Sequence, residues 1–425
     1  MRSPIRDYLD AVIRDTSDIT SGKVSDDIPE LARVDPDLVA VSLSTVTGTV
    51  YSSGDHEHQF SIQSMSKPFA YAMAIEDHGL DEVLNHVGVE PSGDPFNEFS
   101  LDERTAKPRN PMINAGAIAT HGLIKSDHAP ASDRLMDLYS QLTQRNVEID
   151  ESVVASEMAA GDRNLGLAYL LSAAGALHLN PPAAVAGYVR QCAAMMTVDD
   201  LALMAATLAN GGVQPNTGNR IFSRATTKQV LSVMASCGMY DAAGDWMTSV
   251  GIPAKSGVAG GIIGVLPGQI GVAVFSPRLD HHGNSERGSE MMRLLSENLG
   301  LHLMTAGRPA RSSLREVHTA QVDDEAATIY ALQGDLSLSS IETLVHEITT
   351  NPPQDPLVVF DMTRIDEVLQ VAHETASSLA TTLIDQGHRV IFVDPTEAFA
   401  DFRDEEGREV ERWSPEELRE HTSGS

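Results

Sequence analysis

Lysine is scarce in this sequence: Lys23, Lys67, Lys107, Lys125, Lys228 and Lys255 are the only ones in 425 residues. Cysteine is scarcer, with Cys192 and Cys237 alone. Two thiols with no secretory leader pattern ahead of them read as reduced and partly buried, not as a disulfide. No apolar run approaches the roughly 20 residues that a membrane-spanning helix needs. The N-terminal stretch MRSPIRDYLDAVIRDTSD is too charged for a signal-peptide core and reads as an amphipathic helix, so the cytoplasm is the expected location. Positive charge is short as well: 30 Lys and Arg stand against 60 Asp and Glu, a formal charge of −30. That balance argues against nucleic acid or an anionic membrane as partner. It fits either a salt-tolerant surface, whose self-repulsion is screened at high salt, or an ordinary acidic soluble protein.

Against this background one lysine stands out. FSIQSMSKPF, residues 60–69, places Ser64 three residues before Lys67. A serine hydroxyl is a weak nucleophile until a base takes its proton. On a helix the two positions share a face, so the amine can reach the hydroxyl. Burial lowers a lysine pKa and leaves the amine neutral and basic. S-x-x-K alone is a weak motif. Far downstream, Lys255-Ser256-Gly257 forms a K-[ST]-G triplet, and serine β-lactamases and penicillin-binding proteins carry the two motifs in that order. A strand after the triplet would turn the Val258 N–H towards the serine, to hold an oxyanion together with the Ser64 N–H.

The hydrophobic content of 42 % is ample for packed cores, and the length suits two or three domains of about 100–200 residues each. Residues 1–305 alternate helical stretches with Gly-rich turns. Hairpins are expected at 38–44 with 49–53 and at 262–266 with 270–275, and helices at 63–78 and 198–208. This is the pattern of an antiparallel sheet with helices packed on it, an α+β arrangement and not a run of βαβ units. Residues 306–315, AGRPARSSLR, read as a linker. Beyond it, strands at 328–332, 357–360 and 390–393 alternate with helices at 339–348 and 372–384, which is a small α/β domain over 316–405. Residues 406–425 read as a charged tail, frayed apart from a short helix at 415–421.

Between the two motifs lie clusters rich in Asn, Glu, Tyr and Gly. Asn114 precedes small residues in NPMINAGA, where the chain can approach a ligand closely. Glu157 and Asn164 lie two helical turns apart in SEMAAGDRN, with Gly161 expected to break the helix between them. Tyr188 follows Gly187 directly, and Tyr240 stands close to a glycine, two residues after Gly238. Each has a plain structural reading as turn residue, solvated carboxylate or core tyrosine.

Together QSMSKP, EPSG with FN within 90–97, NPMINAGA, SEMAAGDRN, LANGG, SCGMYD and PAKSGVAGG resemble the serine-dependent glutaminase family, in order, through residues of roughly 20–300. The resemblance implies a β-lactamase-like fold and hydrolysis of L-glutamine to L-glutamate and ammonia, with neither cofactor nor metal. It implies Ser64 as nucleophile and Lys67 as its activator. Asn114, Glu157, Asn164, Tyr188, Tyr240 and the backbone of Val258 would contact glutamine. Glu157 would face the α-ammonium, and Asn114 and Asn164 the α-carboxylate. Either Tyr240 or Tyr188 could relay a proton between Lys67 and the departing ammonia. A homodimer or homotetramer is implied as well.

One position departs from the family. Where members often read VADYIP, residues 24–29 read VSDDIP, which puts Asp27 in place of a pocket tyrosine. The C-terminal region resembles the STAS domain in its strand–helix order and in LVVFDMTRID, residues 357–366. In STAS antagonists a phosphorylatable serine follows that aspartate; here Glu367 and Val368 follow Asp366. Docking, oligomerisation or effector binding are the roles that resemblance implies. Two rival readings remain at this stage: a β-lactamase or D,D-peptidase, and a regulatory protein with a catalytically dead first domain.

Overall fold

The computed structural model describes residues 4–92, 101, 102, 104–125, 129–305, 313–400, 402, 403 and 410–422. Phe96, Asn97 and most of the expected linker lie outside them. The chain divides into two units, one of Tyr8–Ser296 with His302–Met304, the other built mainly on Thr305–Ser425.

The first unit is organised by a five-stranded sheet: β1 (Ala40–Thr45), β2 (Val50–Gly54), β3 (Ala254–Gly257), β4 (Gly261–Leu266) and β5 (Ile270–Phe275). Its order is β2-β1-β5-β4-β3, antiparallel throughout. Pairs such as Leu43 with Val272 and Ile263 with Ala273 set the register. Both expected hairpins are therefore present. The runs GIIGVL and IGVAVF are buried at every residue, as unbroken apolar runs must be when both faces of a sheet are covered.

Helix α6 (Val198–Ala209) packs across β1, β4 and β5 of this sheet, while α1 (Lys67–His78), α2 (Asn114–Leu123), α3 (Glu151–Ala159), α4 (Asp162–Ala173) and α5 (Pro181–Cys192) pack on one another beside it. α6 is buried almost all round, which fits its nearly uniform apolar sequence. A capping box starts it, Thr197 accepting from the Asp200 N–H and Asp200 from the Thr197 N–H. Arg145 also pairs with Asp200 at 2.6 Å, so the helix start is fixed from two sides. The helix expected over 63–78 has two parts: a single 3-10 turn at Gln63–Ser66 precedes α1. Pro68 at the start of α1 costs no hydrogen bond, because the first turn has no acceptor for its N–H.

The second unit is a five-stranded sheet in which β6 (Leu314–Val322) pairs antiparallel with β7 (Glu325–Leu336), followed by α7 (Leu338–Thr350), β8 (Leu357–Val368), α8 (Gln370–Asp385), β9 (Arg389–Val393), β10 (Glu411–Trp413) and α9 (Pro415–His421). The order is β10-β9-β8-β7-β6, with β7, β8, β9 and β10 parallel. Side chains of α7 and α8 pack on one face with Tyr330, Phe360 and Phe392. Val359, Ile391 and Val393 form a second cluster with Trp413 and Leu418. β10 corrects the reading of a frayed tail: Glu411–Trp413 pairs in parallel with Ile391–Val393. Three residues are too few for alternation to register in a charged sequence, and the edge they complete is set by distant residues. β6 likewise begins inside the expected linker.

Candidate active site

The Ser64 turn is built under strain. Gln63 has φ of 49°, a left-handed conformation that is costly outside glycine and concentrated at functional sites. It places Ser64 in the 3-10 turn, with Lys67 as the first residue of α1. Gly257 at the end of β3 passes close beside this turn. A Cβ added there would lie 3.2 Å from the Ile62 carbonyl oxygen and 3.4 Å from the Gln63 side chain. Lys-Ser-Gly thus lies within the strand rather than before it, and Val258 follows in the turn beyond.

Lys67 is 1 % exposed. Its Nζ donates to Asn114 Oδ1 at 2.8 Å and to the Met112 carbonyl at 3.1 Å. NPMIN folds to present both acceptors: Asn110 Oδ1 takes the N–H groups of Met112 and Ile113, which bends the chain into the start of α2. Burial lowers the Lys67 pKa from 10.5 to about 8, against a smaller opposing influence from Cys192. A neutral amine is therefore accessible near neutral pH.

Asn114 connects the surrounding helices. Its Oδ1 also accepts from the Tyr188 hydroxyl of α5 at 3.3 Å, and its Nδ2 donates to Asn164 Oδ1 of α4 at 3.2 Å. Glu157 lies in α3 and Asn164 in α4, with the break at Ala160 and Gly161 that the glycine anticipates. Burial pushes the Glu157 carboxyl up; a hydrogen bond with Gln63 opposes this, and the charges of Asp27 and Glu30 add to it.

Tyr240 also has a left-handed backbone, at φ 56°. Burial pushes its hydroxyl up to about 12, while hydrogen bonds with Ser64 and Ser256 act the other way. The Ser256 carbonyl accepts from Lys255 Nζ at 2.7 Å and from the Tyr240 hydroxyl at 3.4 Å. Burial first, and the charge of Lys67 second, hold the Lys255 amine well below its usual pKa. Two of the six lysines thus stand buried around one serine.

A cavity of ≈ 230 Å³ opens here, and Ser64, Asn114, Glu157, Asn164, Tyr188 and Val258 line it. Lys67 and Tyr240 adjoin it through their bonds to Asn114 and Ser64. All eight residues singled out in the sequence therefore gather at one place. Asp27 lines the cavity too, its carboxylate accepting from Ser25 Oγ at 3.0 Å. Sequence reasoning passed over Gln63, Arg163 and Cys192, which share the wall. Gln63 and Arg163 stand beside chosen residues inside the quoted blocks. Cys192 had only its four-residue spacing from Tyr188 to suggest it. Among the described residues, no cluster of three or more His, Cys, Asp or Glu is arranged to hold a metal ion, and no helix is long and apolar enough to cross a membrane.

A protein-family model described as Glutaminase matches residues 22–304. The chain is similar to the glutaminase of Corynebacterium glutamicum, at 43 % identity over 407 residues, which covers 95 % of this chain and 97 % of that protein. It is similar to the glutaminase of Trichormus variabilis at 48 % identity over 302 residues, 71 % of this chain and 90 % of that one. Among solved structures, it resembles Mglu in its L-glutamate binding form in the presence of 4.3M NaCl. That likeness has a TM-score of 0.70 and 38 % identity, covering 93 % of this chain and 99 % of the other.

Proposed function

The chain belongs to the glutaminase family and is an enzyme that converts L-glutamine to L-glutamate, and we propose that it does so through a glutamyl ester on Ser64. The observation that carries this reading is the Ser64 hydroxyl, bonded to Tyr240 and one turn before a buried lysine of lowered pKa.

Neutral Lys67 takes the Ser64 proton as Oγ attacks the side-chain amide carbon. The N–H groups of Ser64 and Val258 hold the oxyanion. The proton then passes to the amide nitrogen, the C–N bond breaks and ammonia leaves. Water attacks the ester, its proton returns through the same groups, and glutamate departs with Ser64 restored. Tyr240 suits the relay better than Tyr188, because its hydroxyl bonds to Ser64, whereas that of Tyr188 bonds to Asn114.

Glu157 supplies the negative charge an α-ammonium requires, since a buried zwitterion without partners would cost several kcal/mol. Asn114 gives one of its two amide N–H groups to Asn164 Oδ1, which leaves the other, together with the Asn164 amide, as donors for the α-carboxylate. In this reading residues 1–305 are the catalytic domain, with the β-lactamase-like fold of its family. Residues 316–405 form a STAS-like domain serving regulation or oligomerisation, in a cytoplasmic homodimer or homotetramer. The charge of −30 and the likeness to Mglu crystallised in 4.3M NaCl support salt tolerance.

The test is ammonia release from L-glutamine and L-asparagine, with Ser64→Ala as control. Release from glutamine that Ser64→Ala abolishes is the expected result. Undiminished release from the variant would overturn the serine mechanism.

A further inference from the structure

One buried histidine has no part in that chemistry. His121 is 2 % exposed, on α2, two turns beyond Asn114 and on the same face. Its Nδ1 lies 2.8 Å from Gln191 Oε1 on α5. A carbonyl oxygen only accepts, so Nδ1 carries the proton. Gln191, itself fully buried, turns its amide the other way: Nε2 donates to Ser66 Oγ at 3.1 Å. Ser66 stands between Ser64 and Lys67 in the strained turn.

The pair also completes a ladder. α2 and α5 are joined at one end by Tyr188 and Asn114, the acceptor that holds Lys67. They are joined again by Gln191 and His121, three residues further along α5 and seven along α2. Gly187 lets the ring in: a Cβ added there would lie 2.1 Å from His121 Nε2. Any side chain at 187 would force the His121 ring out of this place or the two helices apart.

We infer that His121 and Gln191 are positioning residues: they fix the spacing of α2 and α5 and, through Ser66, the orientation of the turn that carries Ser64 and Lys67. The inference rests on Ser64 and Lys67 being the reacting pair. Burial supports it by lowering the His121 pKa to about 4, against a smaller opposing influence from the Gln191 bond, so the neutral donor persists at working pH. Without the donor, Gln191 Oε1 is left buried and unsatisfied and Gln191 has reason to rotate. The turn then loses its amide anchor, keeping only the contact of Ser66 with Cys192 and Tyr139, and water gains access to Lys67. Tyr188 and Cys192 of α5 and Lys255 of β3 are the titratable groups described around that amine, with Tyr240 against Lys255, and Glu157 of α3 and Tyr139 against Cys192. All of them remain in the variants below, so a change in Lys67 hydration is read directly.

The experiment compares His121→Leu, His121→Asn and Gln191→Leu with the parent in the full chain. kcat per folded molecule, KM and the pH dependence of kcat/KM are measured together. A displaced turn is expected to lower kcat about tenfold in His121→Leu and Gln191→Leu, with KM within about twofold. The acid limb should move to higher pH as Lys67 regains water. His121→Asn, which keeps a nitrogen donor near the Nδ1 position, should recover most of kcat. A purely structural role would reduce the folded fraction and leave the limb in place. Unchanged kcat and an unmoved limb in folded His121→Leu would overturn the inference; should that variant not fold, the same outcome in Gln191→Leu would do so. Ser64→Ala in parallel separates the two questions: if it remains active, the reading of the reacting pair has failed, whatever His121 does.

Discussion

The amine of Lys255 lies 3.8 Å from the centre of the Tyr240 ring. The same lysine donates to the Ser256 carbonyl that Tyr240 also reaches. A residue of β3 thereby packs against the tyrosine whose hydroxyl meets Ser64, at a point where the Tyr240 backbone is left-handed. Tyr240→Phe is expected to lower kcat by about 10²–10⁴-fold, the usual worth of a positioned proton relay. Tyr188→Phe should lower it by less than about tenfold, acting mainly through KM. Ammonia-release kinetics on both variants check the assignment, and the reverse order of severity would exchange the two roles.

Lys67 gives the activity and the stability a common pH range in which to be compared. In the proposed mechanism the neutral amine is the active form, so kcat/KM should rise with pH through an acid limb near 8. In the unfolded chain the same amine holds its proton up to the ordinary lysine value of 10.5. Between about 8 and 10.5 the unfolded state therefore binds more protons, and stability rises with pH. The cost of the depressed pKa, present in full below pH 8, is about 3 kcal/mol. Lys67→Met removes that cost together with all activity. Its stability relative to the parent, followed by urea unfolding, should fall as pH is raised from 7 to 10. A difference that does not change with pH would place Lys67 in water.

The cavity beside Ser64 carries an excess of negative charge. Asp27 and Glu30 both raise the Glu157 carboxyl, and Asp27 lines the same cavity. Replacing Asp27 by tyrosine removes a charge that would oppose a substrate carboxylate bound in this cavity, so Asp27→Tyr should lower KM several-fold. Glu157→Gln removes the partner proposed for the α-ammonium. It should raise KM by about 10–100-fold, as the loss of a hydrogen bond to a charged group would. An unchanged KM in Asp27→Tyr would mean that the carboxylate does not meet the bound amino acid.

Much of this site could be read from the sequence because its chemistry is local. Ser64 and Lys67 share one turn, Lys255 and Ser256 lie in one strand, and Gly161 marks the break between Glu157 and Asn164. What escaped notice depends on distant contacts. Gln191 meets His121 70 residues away, across two helices, and neither residue type nor spacing signals the bond. Cys192 enters the cavity wall only because α5 presents the face that Tyr188 occupies. The fold shows the same division. Buried strands such as Gly261–Leu266 are visible as apolar runs, while Glu411–Trp413 is a strand only because Ile391–Val393 offers it an edge.

Salt separates the two explanations of the acidic composition. With a formal charge of −30, screening should relieve surface repulsion while leaving the contacts of buried Lys67 almost untouched and those of half-buried Glu157 less affected than the surface. Activity on L-glutamine is therefore expected to persist at molar NaCl, with the thermal midpoint unchanged or raised. A steep loss of activity at modest salt would leave the acidic surface with no such role.

The most direct measurement is acid quenching of the enzyme during turnover of L-glutamine, followed by mass spectrometry of the intact chain and its peptides. A glutamyl ester should appear on the peptide that holds Ser64, accumulate within the first turnover and be absent from Ser64→Ala. Turnover without any adduct, together with a Ser64→Ala variant that still releases ammonia, would contradict the mechanism.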